Sequence, residues 1–296
     1  MRFRTLVTNS NLLLRVVQSI DKLAKNAILK LTTEKLHIIV ITDVDSGLQL
    51  WSDIAVNALF SDYRIESIHG DEIYLEFTID NLQRALKSAQ GALHTTLKLT
   101  KKQGIPVLSL VIQNQSNTGR ELILNQDVPV RVLTPLQMDA IREPLVPDSQ
   151  VHIMMPPLNS VRSIAERMKG MGDRVAVSAN REGEATLRVS NDLVEITTFF
   201  RGLENLTYDS STQEPSANPT PDRGSGEFYT AVVDMKNFLR FLQSYHVAPK
   251  NIVCCIIEHH SLVFYVYIGS TGYGGVSALN DQTCGSLTYF IPVRQV

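Results

Sequence analysis

Arg84 and Lys87 stand three residues apart in IDNLQRALKSAQ (79–90), and Arg240 recurs 156 positions later in MKNFLRFLQSYH (235–246). Asn81 and Asn237, Leu86 and Leu242, and Ser88 and Ser244 match at the same spacing. On a helix, residues three apart share a face, here the one opposite Leu82, Ala85 and Ala89. Arg15, Lys22 and Lys25 recur at spacings of seven and three, again one stripe. Lysine and arginine at flexible reach, without asparagine and glutamine gathered on one recognition helix, hold phosphates and do not choose a base sequence. The alternative is a solvated helix face, where both residue types are common. Segregation of charge favours phosphate. The four helical stretches read below carry ten cations (Arg15, Lys22, Lys25, Arg84, Lys87, Arg162, Arg167, Lys169, Lys236, Arg240) against Asp21, Asp80, Glu166 and Asp234. That is about +6 in a chain whose net charge is -2, which leaves about -8 elsewhere.

Other groups that could do chemistry have the wrong spacing. Glu258-His259-His260 lies near Cys254 and Cys255, but neighbours on a strand diverge, and the spacing fits no zinc pattern. Gly269-Ser270-Thr271-Gly272-Tyr273-Gly274-Gly275 lacks the Lys-Ser/Thr ending of a phosphate loop and sits between strands, as a hairpin would. Asp43 and Asp45 are turn formers, and no serine has a Ser-His-Asp context. The expectation is no catalysis, no metal and no cofactor.

The elements that must position the cations follow from periodicity. Residues 2–7 read as a strand, Thr8-Asn9-Ser10 as a helix start, and Leu13, Val16, Val17, Ile20, Leu23 and Ala24 as one buried helix face. Strands follow at 28–32, 36–41, 48–54 and 73–78, with a turn at 43–47. Asp80 then caps the second helix, and strands at 95–100, 106–113, 121–126 and 128–133 close the half. Prolines 135, 144 and 147 make 136–148 a connector rather than an element.

After the connector the same order restarts. A strand at 151–155 leads into Val161-Arg162-Ser163-Ile164, an echo of Val17-Gln18-Ser19-Ile20 at a spacing of 144. Strands at 175–180, 185–190, 193–200 and 228–233 precede the second copy of the opening phrase, and 252–258, 262–268 and 286–292 close the chain. The repeat spacing grows because 205–226 is a polar insertion rich in Pro, Ser and Gly, expected to be a disordered loop. A unit of about 150 residues is too long for a solenoid repeat. The reading is an α+β protein of two tandem domains, 1–135 and 149–296, each with two helices packed on antiparallel sheet.

Composition sets outer limits. The chain has 296 residues, 44% hydrophobic and 20% charged, which suits globular domains and not disorder. No apolar run is long enough for a bilayer, MRFRTLVTNS has no apolar core of a signal peptide, and the three cysteines form no disulfide framework, so an intracellular protein away from membranes is expected. On that expectation the acceptor patterns at Asn114-Gln115-Ser116 and Asn205-Leu206-Thr207 stay unmodified.

The stretch IYLEFTIDNLQRALKSAQGALHTTLKLTKK (73–102) closely resembles the Hus-one subunit family of the nine-one-one DNA-damage checkpoint clamp, a relative of the PCNA sliding clamps. MRFR at the start, DVPVRVLTP and EPLVPDSQV around the connector and LTYFIPV near the end resemble it too, so the likeness spans essentially the whole chain. The resemblance implies two PCNA-like clamp domains forming one third of a ring, helices inward, in the nucleus. It implies a heterotrimer with Rad-nine and Rad-one type subunits, joined through edge strands 120–126 and 194–200. A checkpoint clamp loader, double-stranded DNA held without sequence preference, and repair and signalling proteins would be its other partners. The channel-lining cations would be Arg15, Lys22, Lys25, Arg84, Lys87, Arg162, Lys169, Lys236 and Arg240, with Arg167 leaning away. Leu145 and Val146 in the connector would offer apolar contacts to partner peptides, unless the connector is only a strap. The rival reading is a homotrimeric PCNA-like processivity clamp for a polymerase, and a more distant one is a metabolic enzyme with a duplicated domain.

Overall fold

The computed structural model describes residues 1–42, 47–68, 70–115, 121–206, 224–269 and 283–294. The first half runs β1 (Arg2–Val7), α1 (Ser10–Ile20), β2 (Asn26–Leu31), β3 (Lys35–Ile41), β4 (Gln49–Ala55), α2 (Val56–Leu59), β5 (Phe60–Glu66), β6 (Ile73–Thr78), α3 (Ile79–Ser88), β7 (His94–Lys102), β8 (Ile105–Gln115), β9 (Glu121–Val132) and α4 (Pro135–Asp139). The second runs β10 (Val151–Met154), α5 (Leu158–Met168), β11 (Arg174–Ala179), β12 (Ala185–Ser190), β13 (Glu195–Phe200), β14 (Tyr229–Asp234), α6 (Met235–Phe241) continued by a 3-10 segment (Leu242–Val247), β15 (Asn251–Ile257), β16 (Ser261–Gly269) and β17 (Thr283–Pro292).

The strand ladders repeat the sequence repeat. The antiparallel row β1-β7-β8-β9 of the first half is answered by β10-β15-β16-β17, and β4-β3-β2-β6 by β13-β12-β11-β14. The halves are stitched into one 13-stranded sheet where β17 pairs with β4, from Gly285 opposite Ile54 to Phe290 opposite Gln49. At Gly285 an added Cβ would stand 2.2 Å from the Asp53 carbonyl oxygen, so glycine is required by close backbone approach. The strands equivalent to this joined pair, β9 and β13, are left open. β13 bonds only to β12, and β9 bonds along 121–129 only to β8 among the described residues.

Helices cover one face. α1 starts at Asn9, whose side chain accepts the Leu12 amide at 3.0 Å, satisfying a donor the helix itself leaves open. α1 packs between α3 and the 3-10 segment, and α5 packs against α6 and that same segment, so the helices of both halves form one continuous row. Under them lies the main core, where the Phe241 and Phe264 rings stack at 3.7 Å and Tyr289 meets Phe241 edge-on at 5.3 Å. Alternation along β15 puts Cys254 in this core and Cys255 in a smaller cluster on the opposite face, with Val253, Ile257, Val263 and Phe290.

Several expectations from the sequence are corrected. The connector does hold an element, α4, because Pro135 occupies a first-turn position where its missing N–H costs nothing and Thr134 with Gln137 forms a capping box. The strands read at 121–126 and 128–133 are one strand, β9, through Pro129, at a register where only β8 is bonded. β5 and α2 have no counterpart in the sequence reading. Helix one ends at Ile20, so Lys22 and Lys25 follow it rather than lie on it. Thr78, not Asp80, is the cap residue of α3, and Asp80 sits in its first turn. The last helix tightens into the 3-10 segment at Leu242. The expected disorder of 205–226 rests on residues largely outside those described, as do the hairpin reading of 269–275, most of the 43–47 turn, and Arg120, Ser116 and Thr207.

Candidate nucleic-acid interface

Four of the nine cations named from the resemblance come together. Lys22, Lys169, Lys236 and Arg240 line a cleft of about 530 Å³ with Asp173, Asp234, Leu239 and Gln243. The cleft forms because the turn after α1 faces the second half: Lys22 lies just past the α1 C-terminus, Lys169 is the C-cap of α5, and Lys236 and Arg240 sit four apart on α6. Of the two acids, Asp234 is engaged elsewhere. Asp234 accepts the Lys236 backbone N–H at 2.7 Å as helix cap and pairs with Arg294 at 3.5 Å. Lys22 reaches Asp21 at 3.2 Å with a side chain 70% exposed, and Arg240 donates to Asn237 Oδ1 at 3.4 Å.

The other five are spread along the helix row. Arg84 is 73% exposed and ion-paired with Asp80 one turn earlier, while Lys87 is exposed in the last turn of α3. Arg15 is half-buried on α1, and Lys25 is exposed before β2. Arg162 is the most constrained. Its Nε donates to Glu166 at 2.8 Å, and its guanidinium lies 4.5 Å from the Tyr245 ring centre. The Glu166 bond first holds its pKa above the ordinary arginine value, so the cation is fixed in charge and place. Arg167 is exposed on the same helix. Exposed ion pairs of the Arg84 kind contribute little to stability and exchange readily, so they leave a cation available to a phosphate.

Across the sheet from the helices, Val146 packs on the smaller cluster with Trp51, Met154 and Leu206, whereas Leu145 is 96% exposed. The connector therefore straps the sheet through Val146 and presents Leu145. Leu122, Ile123 and Phe199, which lie in the edge segments named from the resemblance but were not singled out there, are 59, 56 and 63% exposed. Their alternation reads as ordinary sheet, and the pairing shows that among the described residues no strand bonds to the outer side of β13 or of β9 along 121–129. Among the described residues, no cluster of His, Cys, Asp and Glu could hold a metal, and no helix is long and apolar enough to cross a membrane.

Comparison with known proteins adds to this geometry. Residues 1–295 match the family model described as Hus1-like protein. The chain is 34% identical to checkpoint protein hus1 of Schizosaccharomyces pombe, covering 98% of each chain, and 30% identical to checkpoint protein HUS1 of Homo sapiens, covering 99% of each. Among solved structures, it is similar to the proliferating cell nuclear antigen of Entamoeba histolytica (TM-score 0.69, 13% identity, 99% of each chain). That of Thermococcus kodakaraensis gives a TM-score of 0.66 at 14% identity, over 99% of this chain and 100% of the other.

Proposed function

The chain belongs to the Hus1-like protein family, and from that premise we infer that it is a subunit of a checkpoint sliding clamp, a non-catalytic part of an assembly that encircles DNA at damage sites. The observation that carries this is the continuous helix row, which presents cations from both halves over two sheets, the 13-stranded one with the 121–129 part of β9 open on one side and the four-stranded one (β13-β12-β11-β14) with β13 at its edge, among the described residues. Such a row gives salt-dependent and sequence-independent affinity, loose enough for sliding, while topology keeps the ring on the duplex. Arg15, Lys22, Lys25, Arg84, Lys87, Arg162, Lys169, Lys236 and Arg240 face the DNA in this reading.

The repeat supports a ring. Within the chain, β17 accepts β4; by the equivalence of the halves, β9 accepts the β13-like strand of a neighbour, and β13 offers itself to the neighbour on the other side. Both contacts are antiparallel strand additions, with Leu122, Ile123, Val194 and Phe199 as their exposed apolar surface. The contact is head-to-tail, so it closes only as a ring. Two clamp subunits of Rad-nine and Rad-one type fill the other positions, a checkpoint clamp loader opens the ring, and repair and signalling proteins dock on its outside, Leu145 being a candidate contact. The assembly works in the nucleus.

Sizing the purified chain alone, and then with the two other subunits, tests the heterotrimer. A chain that stays monomeric alone and enters a three-subunit complex on mixing supports it. A stable homotrimer of this chain alone would return the polymerase-tether reading.

A further inference from the structure

On the sheet face away from the helices, the first half carries a row of charge in exact register. Arg64 on β5 stands opposite Arg4 on β1, Arg4 opposite Lys98 on β7, Lys98 opposite Ser109 on β8, and Ser109 opposite Asp127 on β9. Alternation fixes the side. Phe3, Ile65, Leu97, Leu108 and Val128 turn toward the main core, so the row turns outward. Side chains directly opposite on antiparallel strands stand about 4.5–5.5 Å apart at Cβ, and like charges at that spacing repel. Arg64 is partnered by Asp62 at 2.9 Å. Lys98 stands near Asp127, whose pKa is held down first by the Lys102 bond and more weakly by the Lys98 charge. Arg4, between two cations, has no hydrogen bond or ion pair among the described residues.

The scaffold does not require charge here. By the equivalence of the halves, Arg4, Lys98, Ser109 and Asp127 correspond to His152, Cys255, Val263 and Phe290, which face one another in the same register. In that copy Cys255, Val263 and Phe290 form the smaller apolar cluster on which Val146 packs. One copy of the row is therefore packed and the other cationic. The cationic copy also ends at an open edge, because β5 is the terminal strand of the 13-stranded sheet and bonds only to β1 among the described residues.

We propose that this edge and row bind a phosphorylated serine or threonine in an extended segment of a partner protein, the segment lying along β5 and its phosphate reaching Arg64 and Arg4, with Lys98 behind them. A phosphomonoester brings close to two negative charges and three acceptor oxygens to one point, which suits two guanidinium groups side by side. The open strand supplies main-chain donors and acceptors for a peptide. Nucleic acid fits less well. Asp62, Glu66 and Asp127 bracket the row, so a continuous phosphate backbone crossing this face meets acids on both sides of the cations, whereas a single dianion does not. The helix-row cations lie across the sheet, so loss of this docking and loss of DNA retention are separable.

The full-length chain is passed over immobilised short peptides that are degenerate around a central phosphoserine, over the same pool with unmodified serine, and over a short DNA duplex of random sequence. Retention on the phosphorylated pool is expected to exceed that on the serine pool by about tenfold or more, and to fall by about tenfold in Arg4→Ala and in Arg64→Ala. The melting temperature of these variants stays at the parental value, and Lys98→Gln, expected to weaken retention less, replaces either one that fails to fold. Charge reversal at Arg84 and Lys87 leaves phosphopeptide retention unchanged. Equal retention on the two peptide pools, loss of the phosphopeptide through Arg84 and Lys87 rather than through Arg4, or a loss in Arg4→Ala confined to the duplex would overturn the proposal.

Discussion

Among single residues, the cations divide into those held and those free to move. Lys169 and Lys87 are exposed at helix ends, whereas Arg162 is fastened to Glu166 and Tyr245. Charge reversal at Arg84 and Lys87 together is expected to leave the fold intact and to weaken retention of the assembled clamp on DNA, with a shallower salt dependence. Unchanged retention across a salt series would count against placing these residues in the channel. A second residue-scale prediction concerns Asp53, whose pKa the His37 bond, opposed by burial and aided by Lys35, holds at about 2. The folded value lies below the unfolded one, so the stabilisation is present above about pH 4 and is lost as pH falls toward 2. Allowing for screening of a half-exposed pair, Asp53→Asn is expected to cost about 1 kcal/mol at neutral pH. Urea unfolding should show that gap narrowing in acid; a gap independent of pH would refute the linkage. Helical spacing in the sequence put Arg84 and Lys87 on one helix, as in α3, but read Lys22 and Lys25 onto a helix that ends at Ile20. The meeting of Lys22 with Lys169, Lys236 and Arg240 in one cleft was not legible, since it joins segments of the two halves that only the fold brings together.

At the scale of elements, the joint between β17 and β4 rests on backbone contact. Gly285→Ala would drive a Cβ into the Asp53 carbonyl, where no flexible side chain can yield, and is expected to cost about 2–4 kcal/mol. A melting temperature equal to that of the parent chain would show the joint to be looser than drawn. On the open edge, Phe199→Glu is expected to abolish assembly with one neighbouring subunit while the isolated chain keeps its circular dichroism and unfolding midpoint. Co-purification at parental yield would exclude β13 as an assembly edge. Most strands and the four main helices were readable from alternation and caps. β5 was not, because Asp62 takes a positive φ of 47° and a register shift between Arg4 and Leu6 breaks its alternation. α4 was hidden for the opposite reason: Pro135 was taken as a breaker where it is a helix starter.

For the whole molecule, the duplication seen as an echo of IDNLQRALKSAQ is a duplication of strand pairing, and the edges that lack an internal partner among the described residues are where the proposed neighbours would attach. Spacing alone gave the repeat, because matched helices keep matched residues. It could not give the β17 to β4 joint or the free edges of β9 and β13, which depend on contacts between distant segments. The arrangement makes encirclement the central claim, and encirclement has a physical signature that simple binding lacks. The assembled clamp, loaded by its loader onto nicked circular DNA, should remain bound at a salt concentration that removes ordinary electrostatic binding, and should leave when a single cut linearises the circle. Equal retention on the circle and on the free-ended linear product would contradict it.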